Sequence, residues 1–176
     1  DNQFILNIKV SLAIYRALAA LIQPLESKHE LQIKWPNDIF LDKKKIGGIL
    51  IENTIQGNLI DSCIIGVGIN VLQTDFGHLS HKASSLKNLL GLDIPVKTVL
   101  EGILGEFNIL MDNNANLAPE YCQNLLGYKV ERDFIESGEK FRGIIEGIDS
   151  FGKLNIYHIR LAQTKSYWFK EVEFVL

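Results

Sequence analysis

The residues best suited to chemistry in this sequence follow one another within one short segment. The run Lys34–Asp38 ends in a proline turn that presents an amide and a carboxylate. The chain then returns through Lys43–Lys45 to Gly47-Gly48, where bare backbone lets a ligand lie close. A lysine ammonium beside exposed backbone N–H groups suits a phosphate or a carboxylate. These residues therefore indicate an anion site, although three consecutive lysines usually mark a solvated turn.

A second segment, Gly66-Val67-Gly68-Ile69-Asn70-Val71, places glycines within an apolar run. It is not a dinucleotide-binding fingerprint, because Val71 stands where the third glycine would be and no helical pattern follows at once. Paired glycines in a buried strand more often let another backbone or a ligand approach closely. Asn70 ends the run and must find polar partners, either as a turn residue or as a ligand-binding residue.

The four histidines do not indicate a metal site. His78 and His81 have a spacing that two metal ligands could share, but a closed site needs more ligands than this polar segment offers. His29 and His158 are expected at the surface. The sequence therefore assigns no residue to a metal ion.

These candidate residues must be positioned by an α+β arrangement. An apolar stretch that ends at Pro24 predicts a helix buried on several sides, and consecutive strand-like runs predict a mixed, mostly antiparallel sheet. A region of strands alone follows, which predicts a domain 1–126 and a small β-barrel domain 127–176. The predicted strands are Leu31–Trp35, Ile39–Leu41, Ile46–Glu52, Leu59–Val71, Tyr128–Ile135, Phe141–Ile148, Lys153–Ile159 and Tyr167–Val175, and the later helices are Ala83–Leu90, Val96–Met111 and Ala118–Leu126.

Composition places the chain among soluble globular proteins. Its 176 residues are 47% hydrophobic and 22% charged, with a formal net charge of −3, which argues against a general nucleic-acid binder. Cys63 and Cys122 are expected to be free thiols in a reducing compartment. No uninterrupted apolar run reaches the roughly 20 residues that span a bilayer, and no secretory signal is visible. We therefore expect a cytoplasmic protein without a membrane partner.

Three motifs in close order, Lys34–Asp38, Lys45–Glu52 and Gly66–Asn70, resemble the signature of biotin protein ligases. Ala83-Ser84-Ser85-Leu86 is similar to the segment that follows the central sheet in that family. The resemblance implies a class II synthetase-like catalytic fold, with helices flanking the sheet, followed by a C-terminal SH3-like barrel. Lipoate ligases share the catalytic fold but lack the Trp-Pro pair, so biotin is favoured and a lipoate-type acyl ligase is the alternative.

The resemblance implies a two-step reaction. Biotin and MgATP form biotinyl-5′-AMP and pyrophosphate, and a lysine of a biotin carboxyl carrier protein then takes the biotinyl group. By motif position, Lys45 is the electrostatic catalyst beside the biotin carboxylate and the α-phosphate, and Asp38 orients or deprotonates the acceptor lysine. The expected cofactors and substrates are ATP, Mg²⁺ and biotin.

The same resemblance implies a set of substrate- and nucleotide-binding residues. Lys34 and Asn37 would support the phosphates and the metal, Gly48 and Leu50 would meet the ureido ring of biotin, and Asn70 would read adenine. The full set is Lys34, Trp35, Asn37, Gly47, Gly48, Ile49, Leu50 and Asn70.

The sequence departs from the family pattern in one respect. The family carries a Gly-Arg-Gly-x-x-Gly loop and a Ser-Thr-Asn segment ahead of the first helix, and neither motif occurs in these 176 residues. We therefore expect this polypeptide alone to form biotinyl-AMP inefficiently, with a non-catalytic protein that binds biotin, nucleotide or carrier as the alternative. A homodimer through an exposed sheet edge is also expected from the family. We expect no nucleic-acid partner.

Overall fold

The computed structural model describes residues 3–25, 29–56 and 59–175, and these fold into two antiparallel sheets and four α-helices. Residues 1–2, 26–28, 57–58 and 176 of the predicted domains lie outside the described residues. The elements are α1 (Gln3–Ile22), β1 (Leu31–Lys34), β2 (Asp38–Leu41), β3 (Lys44–Gln56), β4 (Leu59–Ile69), α2 (Leu86–Leu90), α3 (Val96–Met111), α4 (Ala118–Gln123), β5 (Glu131–Glu136), β6 (Glu139–Ile148), β7 (Leu154–His158), β8 (Gln163–Tyr167) and β9 (Glu173–Phe174).

The first sheet is the predicted meander, in the order β1-β2-β3-β4 with every pair antiparallel. Residues directly opposite one another on neighbouring strands share a face. Ile39 and Ile49 are buried on the face that α1 covers, which we call the inner face. Asp38 pairs with Gly48, and Gly48 with Gly68, so these three residues lie in one row on the opposite, outer face.

Helix α1 confirms the prediction of a helix buried on several sides. Leu12, Ala13, Ile14 and Leu18 are fully buried, and the helix packs against the first sheet and against α3. By length and composition alone, Phe4–Ile22 is also long and apolar enough to cross a membrane, and about half of this stretch is buried inside the protein.

Two of the later helices are shorter than predicted. The helix expected at Ala83–Leu90 begins only at Leu86, because the Ser85 side chain accepts a hydrogen bond from Asn88 N at 3.1 Å and caps it. The helix expected at Ala118–Leu126 ends at Gln123. Leu126 N instead donates to Ile33 O at 2.8 Å, so this segment joins the edge of the first sheet. Helix α3 has the predicted bounds.

The second sheet has the order β8-β7-β6-β5-β9 and is entirely antiparallel. Strands β8 and β9 lie at its two ends and do not pair with each other. Closure is limited by β9, which offers only Glu173 and Phe174 for pairing with β5. The expected closed SH3-like barrel is therefore not found among the described residues, where the sheet is open.

The strand predicted at Tyr167–Val175 is wrong. The chain is extended at Gln163–Tyr167 and then turns, with Trp168 N donating to the Glu171 carboxylate at 2.7 Å. Aromatic residues are typical of strands, but Trp168 and Phe169 occupy the turn. Strand β8 was not predicted, because it is a largely exposed edge strand and has few apolar residues to indicate a strand.

Contacts from both sheets converge on the turn after β1. Trp35 Nε1 donates to Gly152 O at 3.0 Å in a buried hydrogen bond, which ties the first sheet to the second. Pro36 O accepts from Asn7 Nδ2 at 2.8 Å and from the Tyr121 hydroxyl at 2.9 Å. The buried core is continuous across the two sheets, so the turn is held from several directions.

Replacing Trp35 with phenylalanine is expected to destabilise the protein by about 1–2 kcal/mol, because it removes the donor to Gly152 O and leaves a buried acceptor unpaired. Urea denaturation measures the free energy of unfolding. The matched control is Trp168→Phe, since Trp168 is 48% exposed and its indole N–H has no protein partner among the described residues. Equal stability of the two variants would show that the Trp35 hydrogen bond contributes nothing.

The histidines predicted at the surface are not there. His158 is 3% exposed, stacks on Phe141 with 3.9 Å between ring centroids, and is hydrogen-bonded to the Tyr167 hydroxyl. His29 is half-buried, with Nδ1 2.5 Å from the Asp42 carboxylate. The burial of His158 was not predicted, because histidine is a polar residue. It occupies an inward position of β7, where the apolar residues of that strand also lie.

Burial lowers the pKa of His158 below its ordinary value of 6.5; the charge of Lys165 adds to this effect and that of Glu136 opposes it. The unfolded chain then binds the proton more readily than the folded one, so this contribution to stability is complete above pH 6.5 and is lost as the pH falls through the folded-state pKa. We expect the unfolding free energy to fall more steeply in the unsubstituted protein than in His158→Gln as the pH drops from 6.5 to the folded-state pKa. Urea midpoints across a pH series test this, and parallel curves would contradict it.

Candidate functional site

The outer face of the first sheet carries an ion pair at its centre. Lys45 Nζ lies 2.5 Å from Asp38 Oδ1, with 44% of the lysine side chain and 21% of the aspartate side chain exposed. A Cβ added to Gly48 would lie 3.3 Å from Asp38 Oδ1 and 3.4 Å from Lys45 Nζ. Glycine at position 48 therefore leaves both charged groups reachable by a ligand.

A β-bulge places Lys45 on this face. The register of β2 and β3 shifts so that Ile39 pairs with Gly47 and Phe40 with Lys45, which leaves Ile46 without an opposing residue. Without that extra residue, the alternation of the strand would turn Lys45 toward the core and Ile46 outward. The hairpin turn supports the register, because Asp42 and Lys43 both have positive φ, as a two-residue type I′ turn requires.

The outer face also has a floor of bare backbone beside the ion pair. Gly68 lies opposite Gly48, and Gly66 lies opposite Leu50. A Cβ on Gly68 would meet nothing within 4 Å, and one on Gly66 would come no closer than 3.7 Å to another atom. We call Gly48, Gly66 and Gly68 the glycine floor. Leu50, which is 60% exposed, forms an apolar wall beside the glycine floor.

Gly66 and Gly68 were not among the predicted site residues. The signal was present, since two glycines separated by one residue in a strand lie on the same face. The floor is open and apolar at one end and carries an ammonium at the other. That arrangement suits a ligand with a flat apolar body and a carboxylate.

Lys34 belongs to the same face, because it pairs with Asp38 across β1 and β2. Its Nζ lies 5.2 Å from the ring centroid of Phe174 in β9 and 6.0 Å from that of Phe40. Burial lowers the pKa of Lys34; the charge of Asp38 opposes this and that of Lys45 adds to it. No carboxylate lies within ion-pair distance of Lys34 among the described residues, so its ammonium is available to an anion.

A cavity of 440 Å³ adjoins Lys34 and reaches the second sheet. Phe174 and Lys170 contribute to its wall, together with Glu173. The outer face is thus bordered by the second sheet on the side of Lys34.

Asn70 lies at the end of β4, beyond the glycine floor. Asn70 N donates to Ile46 O at 2.7 Å, and Asn70 Nδ2 donates to Ser84 O at 3.0 Å. Asn70 Oδ1 has no partner among the described residues. The residue therefore has the structural role of a strand-end asparagine and keeps one acceptor for a ligand.

Four of the predicted binding residues have a role in the fold itself. Trp35 is buried, and Asn37 Nδ2 donates to Ile49 O at 2.7 Å, which holds the turn against β3. Ile49 is buried on the inner face. Gly47 is required by packing, since a Cβ there would lie 2.7 Å from the backbone oxygen of Gly68. Of the predicted set, Lys34, Asp38, Lys45, Gly48 and Leu50 come together on the outer face.

The described residues contain no group of three or more histidine, cysteine, aspartate or glutamate side chains that could hold a metal ion. His78 and His81 are exposed. In the part of the chain that the structure covers, the site is built from lysines, one carboxylate and bare backbone.

The chain is similar in sequence to proteins of one kind, the biotin and lipoate ligases. A model of the biotin/lipoate A/B protein ligase family matches residues 1–70. The bifunctional ligase/repressor BirA of Bacillus subtilis is 41% identical over 93 residues, which is 50% of this chain and 29% of that protein. The human biotin–protein ligase is 30% identical over 162 residues, 84% of this chain and 21% of that protein. The chain thus spans less than a third of these two relatives.

Solved structures confirm the α+β fold. The apo structure of biotin protein ligase from Aquifex aeolicus has a TM-score of 0.76 and 22% identity, and the similarity covers 99% of this chain and 76% of that one. The same protein in complex with biotin and ATP has a TM-score of 0.75 and 21% identity, covering 99% and 73%. At this level of identity the likeness concerns the fold alone.

Proposed function

Since this chain is related to the biotin protein ligases, we propose that it carries the adenylation and transfer site of an ATP-dependent ligase that joins biotin to a lysine of a carrier protein. The observation that supports this most directly is the Lys45–Asp38 pair beside the glycine floor, on an exposed face of the sheet. The proposed carrier is a biotin carboxyl carrier protein.

In the proposed first step, biotin lies on the glycine floor with its carboxylate at Lys45. A carboxylate oxygen attacks the α-phosphorus of ATP, the new O–P bond forms, and the bond to pyrophosphate breaks. Negative charge builds up on the phosphate oxygens, and a fixed ammonium stabilises it more in this transition state than in the ground state. Asp38 holds the Lys45 ammonium in place, at 2.5 Å.

The nucleotide is proposed to extend from Asn70 toward Lys34. Asn70 Oδ1 can accept a hydrogen bond from the amino group of adenine. The ammonium of Lys34, which has no carboxylate partner among the described residues, suits the phosphates. Mg²⁺ normally binds through phosphate oxygens and one or two carboxylates. Asp38 is the carboxylate at the centre of this face, so it would share the ion with the phosphates.

In the proposed second step, the amine of the carrier lysine attacks the carbonyl carbon of biotinyl-AMP. The amide C–N bond forms, AMP leaves with the bonding electrons, and the amine loses a proton. Asp38 is partly exposed and close to the reacting atoms in this arrangement, which suits it to orient the amine and accept that proton.

We also propose a homodimer through the edge of β4, where Ile64 is 67% and Val67 40% exposed. An edge strand offers unpaired backbone groups to another strand. A domain boundary near residue 126 and a cytoplasmic location belong to the same proposal, and the free thiols of Cys63 and Cys122 are consistent with a reducing compartment.

Titration calorimetry with biotin, combined with biotin-dependent exchange of labelled pyrophosphate into ATP, tests the function. We expect one biotin site per chain, lipoate that does not compete, and exchange only with biotin present. Biotin binding without exchange in the full-length protein would identify a binding protein. Tighter binding of lipoate would identify a lipoate-type ligase.

A further inference from the structure

The turn between β8 and β9 faces the turn after β1 across the cavity of 440 Å³ that adjoins Lys34. Lys34 and Trp35 line this cavity from the first sheet, and Phe169, Lys170 and residues 172–174 line it from the second sheet. We call it the intersheet cavity. It brings a second lysine, Lys170, to the border of the outer face.

Lys170 is fixed in position by the residues on either side of it. Phe169 packs edge-to-face on Trp35, with 6.4 Å between the ring centroids. Trp168 N donates to the Glu171 carboxylate at 2.7 Å. These two contacts anchor the turn against the first sheet, so Lys170 has a defined place in the wall of the cavity.

The intersheet cavity carries an excess of positive charge. The half-buried Lys34 has its Nζ 5.2 Å from the ring centroid of Phe174, and Lys170 Nζ lies 5.6 Å from that of Phe169. Neither ammonium has a carboxylate within ion-pair distance among the described residues. Glu173 is the one acid among the described residues that line the cavity. Two free cations against one carboxylate suit an anion.

The intersheet cavity lies on the side of the Lys45–Asp38 pair opposite to the glycine floor. One row across the outer face runs from β4 to β1 through Gly68, Gly48, Asp38 and Lys34, and the cavity continues beyond Lys34. In a displacement at phosphorus, the attacking and the leaving oxygens lie roughly in line. A carboxylate that attacks from the glycine floor therefore expels the leaving group toward this cavity.

We propose that the intersheet cavity binds the pyrophosphate group of ATP, with Lys170 as a binding residue beside Lys34; this rests on the adenylation proposed above. The two ammonium groups contact the β- and γ-phosphates. The bond between the α-phosphorus and its bridging oxygen breaks, and pyrophosphate leaves with the bonding electrons into the cavity. Hydrogen bonds from cationic N–H groups to phosphate oxygens are among the strong ones. The second sheet thus supplies part of the nucleotide site.

A neighbouring cavity of 720 Å³ is less suited to an anion, although Lys170 also lines it. Its wall contains three carboxylates, those of Glu136, Glu171 and Glu173. Its other lysine, Lys165, is already paired with Glu136 at 3.1 Å. The excess charge of that wall is negative, so the phosphates are expected on the Lys34 side of Lys170.

Calorimetric titration of the full-length protein with inorganic pyrophosphate tests the site without relying on catalysis. We expect Lys170→Ala to weaken binding about 10-fold and Lys170→Arg to restore most of it, because arginine keeps the cationic donors. Glu173→Gln should tighten binding, since it removes a charge that repels the anion. The matched control is Lys153→Ala, because Lys153 also lies over an aromatic ring, at 4.6 Å from the centroid of Trp168, but does not line the cavity. Equal affinities in Lys170→Ala and Lys153→Ala would overturn the proposal.

Kinetics of the two half-reactions separate this inference from the function on which it rests. When ATP is formed from biotinyl-AMP and pyrophosphate, Lys170→Ala should raise the KM for pyrophosphate about 10-fold. Transfer of biotin from synthetic biotinyl-AMP to the carrier involves no pyrophosphate and should keep its rate. An unchanged KM, or an equal loss in both reactions, would refute the role of Lys170 and leave the ligase function standing. Pyrophosphate binding that depends on Lys170 in a protein that forms no biotinyl-AMP would support the site and refute the function.

Discussion

Replacing Lys45 with alanine is expected to lower the rate of biotinyl-AMP formation by on the order of 10³-fold, the loss that follows removal of a fixed group stabilising transition-state charge. The ammonium is 44% exposed and pairs only with Asp38 among the described residues. Its removal therefore deletes no core contact. The stem of Lys45 lies on the outer face, so the strand register and the bulge at Ile46 should persist.

Pyrophosphate exchange in the full-length protein measures this rate, and urea denaturation establishes that the variant is folded. The matched control is Lys43→Ala, since Lys43 is exposed in the same turn and forms no hydrogen bond or ion pair among the described residues. It should retain the rate of the unsubstituted protein. An unchanged rate in Lys45→Ala would remove this lysine from the catalytic role, and an equal loss in both variants would reduce the effect to the overall charge of the turn.

Replacing Gly68 with valine is expected to weaken biotin binding by more than 100-fold, because the branched side chain would occupy the space directly above the glycine floor. The fold should tolerate the change. A Cβ at this position meets nothing within 4 Å, and valine is favoured in strands. Loss of binding with retained stability would therefore report steric exclusion of the ligand.

Calorimetry measures the affinity of this variant for biotin. The matched control is Gly105→Ala on α3, where an added Cβ also meets nothing within 4 Å, and which should bind biotin normally. Normal affinity in Gly68→Val would place the ligand elsewhere and would contradict the assignment of the outer face. A comparable loss in Gly105→Ala would point to a general effect of adding side chains to exposed positions.

Much of the first sheet and of the site could be predicted, because local signals are strong there. The proline turn at Pro36 and the breaks between apolar runs marked the strands, and the spacing of the motifs brought Asp38, Lys45 and Gly48 together. The bulge at Ile46 could not be predicted, since it depends on how two strands align rather than on either strand alone. Without the bulge, alternation along β3 places Lys45 on the wrong face.

The C-terminal region was harder to predict for a different reason. Trp168 and Phe169 favour a strand by composition, but Phe169 packs edge-to-face on Trp35 from the first sheet, with 6.4 Å between ring centroids. Tertiary contact of this kind overrides local preference. The hydrogen bonds by which Trp35 and Asn37 hold the turn could not be predicted either, because a motif does not separate residues that contact a ligand from residues that hold the turn.

The support of the Lys34–Asp38 turn by distant parts of the chain has a consequence for protein synthesis. Trp35 is held by Gly152 and Phe169, and Lys34 lies over the ring of Phe174. The residues that support the turn are therefore translated more than 100 residues after it, since Trp35 and Gly152 are 117 positions apart. A ribosome that has translated the whole first sheet has not yet produced the residues that fix this turn. Polypeptides released early by a premature stop codon would carry every motif of the site and still lack the contacts that shape it.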